Sequence, residues 1–301
     1  MHSVAEAAER LLGEIPEPVL ISTPRGPLAC AVAGEGPPLL ALHGIMGGLD
    51  QSWLLARALL GGPFRRRVIA VARPGYPGTP LETGGTAEAQ AEAYAVLLDT
   101  LGADAVHIAA FSGGGPSALA FARLFPGRCR GLLLVSACTG RLEARPQGRA
   151  VLERARFLAR LPGLRAVPAW AVRHWTGMAA RGFVPAAAER ARVLADPQAG
   201  PLLAALLLSS CLRMGERMPG TFRDVAQFAA LPACCDAGVK APLLAVHGTA
   251  DGIVPFGQGE AIARRVGGAR LLALEGGTHM ALFTHLAEVR RAAGAFLDPR
   301  G

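Results

Sequence analysis

Ser112, Asp251 and His279 are of the types that serve as a nucleophile, the carboxylate that orients a base, and the base itself. A serine hydroxyl is a weak nucleophile unless a neighbour takes its proton, and neutral imidazole suits that near pH 7. A carboxylate on the far ring nitrogen would fix the imidazole tautomer and stabilise the imidazolium that forms. The three lie far apart in the chain, so the relay exists only if the fold gathers them.

The elements around them are suited to that. In Ala105–Pro116, AVHIAAFSGGGP, the run up to Ala110 is almost wholly apolar, which reads as a strand buried on both faces. Ser112 follows, then three glycines, then a helical pattern over Ser117–Phe125. A serine on so tight a strand-to-helix turn is lifted clear of the sheet. The usual form is G-x-S-x-G, and here Ala110 stands in the first glycine's place. Taken alone, the S-G-G-G run reads equally as a phosphate loop or a plain turn.

The rest of the chain repeats strand and helix. A leading hairpin is expected at Val19–Ser22 and Leu28–Ala33, followed by strands at Pro37–Leu42, Val68–Val71, Gly131–Val135, Pro242–Val246 and Ala269–Leu274. Helical patterns separate the later strands, Thr86 caps one of them, and Leu286–Phe296 closes the chain. The expected fold class is α/β, a mostly parallel central sheet flanked by helices. Between 139 and 235 the alternation stops. That stretch is helical in pattern and broken by prolines at 162, 168, 185, 197, 201 and 219. It is expected to be a helical cap inserted into a core of residues 1–138 and 236–301.

In a parallel sheet, functional groups gather beyond the carboxyl ends of the strands. Ser112, Asp251, His279 and the glycine turn Gly44–Gly48 all follow strands there. The order Ser, Asp, His is that of the α/β-hydrolase arrangement. The chain resembles a cap-bearing serine hydrolase of that family over nearly its whole length. The likeness lies in the H-G-x-x-G-G turn from His43, R-P-G-Y-P-G from Arg73, the Ser112 turn, H-G-x-x-D-x-x-V-P from His247, and G-G-x-H ending at His279.

The resemblance implies a catalytic Ser112–His279–Asp251 triad, an oxyanion hole from the backbone N–H groups of Ile45 and Gly113, and no cofactor or metal. It implies cleavage of a carboxylic ester, lactone or thioester with a small or medium acyl group. Acyl transfer on the same machinery and a non-catalytic ligand receptor are the alternatives. Dehalogenases and epoxide hydrolases of this fold carry aspartate where Ser112 stands, and hydroxynitrile lyases need an active-site lysine where the single Lys240 is misplaced. His43 and His247 read as structural histidines, and Glu143 as a second candidate for the acid. Met46, Phe111, Trp170, Trp175 and Met280 are candidate pocket residues.

Composition narrows the partners. The 301 residues are 51% hydrophobic, enough for one large domain with an insertion. The net charge of +8 is almost all arginine, without a run of five or more like charges or interleaved aromatics, so nucleic acid is not an expected partner. Its surplus sits between Arg141 and Asp236, where it reads as a solvated face. The longest apolar candidate, Pro201–Leu212, is too short to cross a bilayer. No integral membrane segment is therefore expected, and a cytoplasmic location is. Six cysteines without ligand spacing read as reduced thiols. The expected partner is a small-molecule acyl substrate, and a homodimer is left open.

Overall fold

The apolar runs pair into one sheet. The computed structural model describes residues 3–143, 146–161 and 166–298, with residues 146 and 147 described by their backbone alone. The strands are β1 (Val19–Thr23), β2 (Gly26–Ala33), β3 (Pro38–Leu42), β4 (Arg67–Val71), β5 (Val106–Phe111), β6 (Cys129–Val135), β7 (Leu243–Gly248) and β8 (Arg270–Leu274). Their spatial order is β1-β2-β4-β3-β5-β6-β7-β8. β2 runs antiparallel to β1 and β4, and all other neighbours are parallel. Leu42 pairs with Ala110, Phe111 with Val135, Val135 with Val246, and Gly248 with Leu274. The carboxyl ends of these strands are therefore nearly level, and the turns that follow them open on one edge.

Both faces of the sheet are covered, as the near-continuous apolar strands require. Leu133 and Val135 of β6 face a core shared with α2 (Leu49–Leu60) and α13 (Leu286–Leu297). Leu132 and Leu134 face the opposite core, with α3 (Ala87–Thr100), α4 (Gly115–Leu124) and α11 (Phe256–Arg265). A further short helix, α12 (Ala281–Thr284), precedes α13.

The helical stretch between β6 and β7 comprises α5 (Pro146–Ala159), α6 (Val167–His174), α7 (Thr176–Ala179), α8 (Ala187–Ala195), α9 (Ala199–Cys211) and α10 (Met214–Ala230). Pro168 lies in the first turn of α6, where its missing N–H costs nothing, whereas Pro219 lies inside α10. The expected break at Pro162 lies outside the described residues. α9, the apolar run of the sequence, is a core helix buried on nearly all sides. The leading helix α1 (Val4–Gly13), opened by a Ser3–Glu6 capping box, packs Ala8, Leu11 and Leu12 into the same core. Among the described residues no single helix is long and apolar enough to cross a membrane. All six cysteines are free thiols.

Candidate active site

β5 delivers Ser112 into a conformation that serine rarely adopts, with φ +50°. Such a backbone costs about 1–3 kcal/mol and survives only where the surroundings enforce it. Here the enforcement is close approach. A Cβ on Gly44 would lie 2.9 Å from that of Ser112, and one on Gly115 would lie 2.1 Å from the Cys138 carbonyl. The turns after β3 and β6 thus press on the serine turn from both sides, and the Cys138 N–H donates to the Ser112 carbonyl at 2.9 Å. Alanine at 110 fits because it is small and fully buried between β3 and β6.

After β7 the chain turns through Asp251. Its Oδ1 accepts the N–H groups of Ile253 and Val254 at 2.8 and 3.0 Å, which aims Oδ2 away from its own loop. His279 comes in on the turn after β8 and donates Nδ1–H to Asp251 Oδ2 at 2.8 Å. With that proton assigned to Nδ1, the Nε2 lone pair faces the Ser112 hydroxyl at 3.0 Å. All three residues are buried. Burial pushes the Asp251 carboxyl up. Hydrogen bonds from His247 and His279, with the charge of His279 and the Ile253 N–H, outweigh that and hold it well below the usual carboxylate range. Asp251 is thus a lasting anion at the far end of the imidazole.

The other buried histidines do structural work. His247 Nε2 lies 3.0 Å from the Val254 carbonyl and 3.3 Å from Asp251 Oδ2, so it braces the acid's loop. His43 Nε2 accepts the Arg73 N–H at 3.0 Å while Nδ1–H donates to the Gly44 carbonyl at 2.7 Å. Burial and the neighbouring Arg73 guanidinium hold its pKa well below the ordinary value, so it stays neutral.

The Ile45 N–H meets no acceptor among the described residues. A Cβ on Gly113 would lie 3.2 Å from that nitrogen, so the two residues approach closely, and both border the same space as Ser112. The Gly113 N–H belongs to the first turn of a helix, where such groups have no intrahelical partner. The space the three residues border is a cavity of about 120 Å³. Leu142, Val225, Phe228, Ile253 and Leu152 of α5 line it, with Glu143 as the one carboxylate.

The residues singled out from sequence as pocket candidates are distributed differently. Phe111 is buried with its ring 5.2 Å from that of His279, and Met280 is buried in the core behind it. Met46 lies in the glycine turn with φ +56°. Trp170 and Trp175 do not line the cavity. They are 46% and 51% exposed and pack on one another and, through Trp170, on His174. The reason is helical phase: α6 turns Ala169 and Val172 inward, which leaves Trp170 outside. Glu143 is exposed at the cavity rim, and Asp251 alone of the two carboxylates bonds His279. Among the described residues no cluster of three or more His, Cys, Asp or Glu side chains could hold a metal ion.

Sequence reading missed a buried polar network on α10. Arg217, Thr221 and Asp224 are all within 2% of full burial and face the turns after β3 and β4. Their spacing of four and three on an otherwise mixed helix was the available signal.

The sequence profile of the alpha/beta hydrolase fold matches residues 37–286. An alpha/beta hydrolase fold protein from Nakamurella multipartita is 31% identical, with TM-score 0.76 over 93% of this chain and 99% of that one. A thermophilic esterase from Thermogutta terrifontis, with malate bound, is 22% identical, with TM-score 0.66 over 94% of this chain and 99% of its own. An enol-lactonase from Burkholderia xenovorans LB400 is 20% identical, with TM-score 0.68 over 93% and 99%. A curated relative, the uncharacterized hydrolase YcgS of Bacillus subtilis (strain 168), is 35% identical over 114 residues, and the match spans 38% of this chain and 39% of that protein. With the profile covering the sheet from β3 onward and every turn described above, this chain belongs to the alpha/beta hydrolase fold family.

Proposed function

We propose that the protein is a serine hydrolase that cleaves a carboxylic ester, lactone or thioester of small to medium acyl size through an acyl-enzyme on Ser112. The observation that carries this reading is one imidazole, His279, bridging the Ser112 hydroxyl at 3.0 Å and the Asp251 carboxylate at 2.8 Å. Ser112 Oγ attacks the carbonyl carbon as His279 Nε2 takes its proton, and Asp251 stabilises the imidazolium. The tetrahedral oxyanion is received by the N–H groups of Ile45 and Gly113. Losing one such donor would raise the barrier by about 2.7–4 kcal/mol. His279 returns the proton to the leaving group, and a water activated by the same base releases the acid.

The cavity favours a short, apolar acyl group. At about 120 Å³ it is well below the size that encloses a drug-like ligand, and its walls are aliphatic and aromatic. In this reading residues 139–235 are the cap, with Leu152 and Phe228 roofing the acyl group. The names of two structural neighbours, an esterase and an enol-lactonase, agree with ester chemistry on this scaffold.

A fluorophosphonate probe tests the reading. The wild-type protein is expected to label and to hydrolyse p-nitrophenyl esters, with preference for short chains, while Ser112→Ala does neither. A folded wild-type protein that neither labels nor hydrolyses esters, lactones or thioesters overturns it. Product formed on an added alcohol in preference to water would reassign the same triad to acyl transfer.

A further inference from the structure

We propose that α10 is a fixed clamp on the oxyanion turn, with Thr221 and Arg217 as positioning residues for the Ile45 N–H. The inference rests on the reading of Ser112 as the nucleophile.

The turn Gly44–Gly48 has no regular structure of its own, and Met46 holds a left-handed backbone within it. Residues 217, 221 and 224 fall on one face of α10, and each reaches this turn or its support. Thr221 Oγ1 accepts the Met46 N–H at 3.0 Å. Arg217 donates to the Gly47 carbonyl at 2.5 Å and pairs with Asp50 Oδ2 at 2.6 Å, at the start of α2. Asp224 pairs with Arg73 and accepts the Tyr76 hydroxyl at 2.7 Å. Arg73 in turn donates its N–H to His43 at 3.0 Å and a guanidinium N–H to the Gly44 carbonyl at 3.4 Å. The residues on both sides of Ile45 are therefore tied to one helix, and the Ile45 N–H is left free between them.

The helix itself has no room to slide. The Gly220 N–H donates to the Gly75 carbonyl at 2.8 Å, and a Cβ on Gly220 would lie 2.5 Å from the Tyr76 ring. α10 lies within the inserted stretch by sequence, yet its inner face is part of the catalytic floor. A side chain that only packed would need no hydroxyl at 221 and no guanidinium at 217.

The test replaces the hydroxyl and keeps the shape. Thr221→Val is expected to lower kcat on a short p-nitrophenyl ester by about 10- to 100-fold, short of the loss of a whole oxyanion donor, with KM nearly unchanged. Thr221→Ser is expected to restore most of it. Arg217→Gln, which leaves Thr221 in place, is expected to lower kcat as well. Amide exchange of residues 43–48 should speed up in Thr221→Val and not in Thr221→Ser. Folded Thr221→Val and Arg217→Gln proteins with wild-type kcat and unchanged exchange overturn the clamp, as does a Thr221→Ser variant as impaired as Thr221→Val. If the wild-type protein shows no Ser112-dependent reaction, the hydrolase reading and the catalytic consequence fall together. The exchange data then decide the clamp alone.

Discussion

α5 and α10 come from one arginine-rich stretch and lie against each other, yet they solve opposite problems. On α5, Val151 and Phe157 are 62% and 64% exposed, and Arg156 pairs with Glu153 in solvent. On α10, Arg217 and Asp224 are buried and each faces an opposite charge from the core. Where the helices meet, the contact is Arg156 over the Phe222 ring at 4.8 Å. Seven of the eleven large apolar side chains exposed among the described residues lie between 139 and 235, all of them outside α10. A place between β6 and β7 therefore does not decide what a helix does. α10 is bolted to the turns after β3 and β4, and α5 forms the outer wall of the cavity.

The largest effect that tests this difference is on stability. Removing one partner of a buried ion pair strands the other, at a cost of about 3–5 kcal/mol. Asp224→Ala leaves Arg73 without its carboxylate beneath α10. By contrast, Val151→Ser or Phe157→Ser on α5 replaces a solvent-facing side chain and should change stability by about 0.5 kcal/mol or less. Urea unfolding of the three variants measures both. Equal losses on the two helices would erase the distinction.

Much of the site was legible in the sequence because its signals are local. A doubly buried strand followed by a serine and three glycines, and polar residues on turns after apolar runs, are short-range patterns that the level strand ends bring to one edge. The network under α10 is not local. Asp224 and Arg73 are 151 positions apart, and Arg217 was one arginine among many in a stretch that read as a solvated face. The tryptophans show a related limit of local reading: residue type marked Trp170 and Trp175 as pocket candidates, whereas both stand about half exposed, and on α6 it is Ala169 and Val172 that pack inward. Leu152 and Phe228, which do line the cavity, look like any core residue until the helices are in place.

A smaller effect separates the two helices at the cavity. Both contribute a wall residue, Leu152 from α5 and Phe228 from α10, but only Phe228 approaches the serine turn, its ring tip 3.0 Å from where a Gly113 Cβ would lie. Phe228→Ala should enlarge the acyl end and raise kcat/KM for a longer p-nitrophenyl ester, relative to acetate, by about 10-fold, within the range that one methylene commands in a pocket. Leu152→Ala should shift the same ratio less, because its helix lies against solvent. A larger shift from Leu152 would make α5 the determinant of chain length.

The last effect is one of pH, and it reports whether α10 seals the turn. His43 is held neutral by burial first, then by Arg73, with Arg217 of α10 adding to it. Its folded pKa lies below the unfolded value of about 6.5, so the unfolded chain binds more protons as the pH falls through that value. Stability is therefore full above about pH 6.5 and declines on acidification, by at most about 1.4 kcal/mol per pH unit for one group. His107, at the opposite end of β5, is lowered to about 4 by burial and by the nearby Arg66 and Arg130, and it adds to the slope over the same window. Asp251 acts elsewhere: its pKa is depressed, so its contribution is intact above the unfolded carboxylate value near 4 and is lost only in stronger acid. Urea unfolding at about pH 7.5 and about pH 5 should thus show a less stable protein at the lower pH. His107→Gln should remove only part of the difference. If His107→Gln removes all of it, His43 protonates freely in the fold, water reaches the turn, and α10 does not close over it.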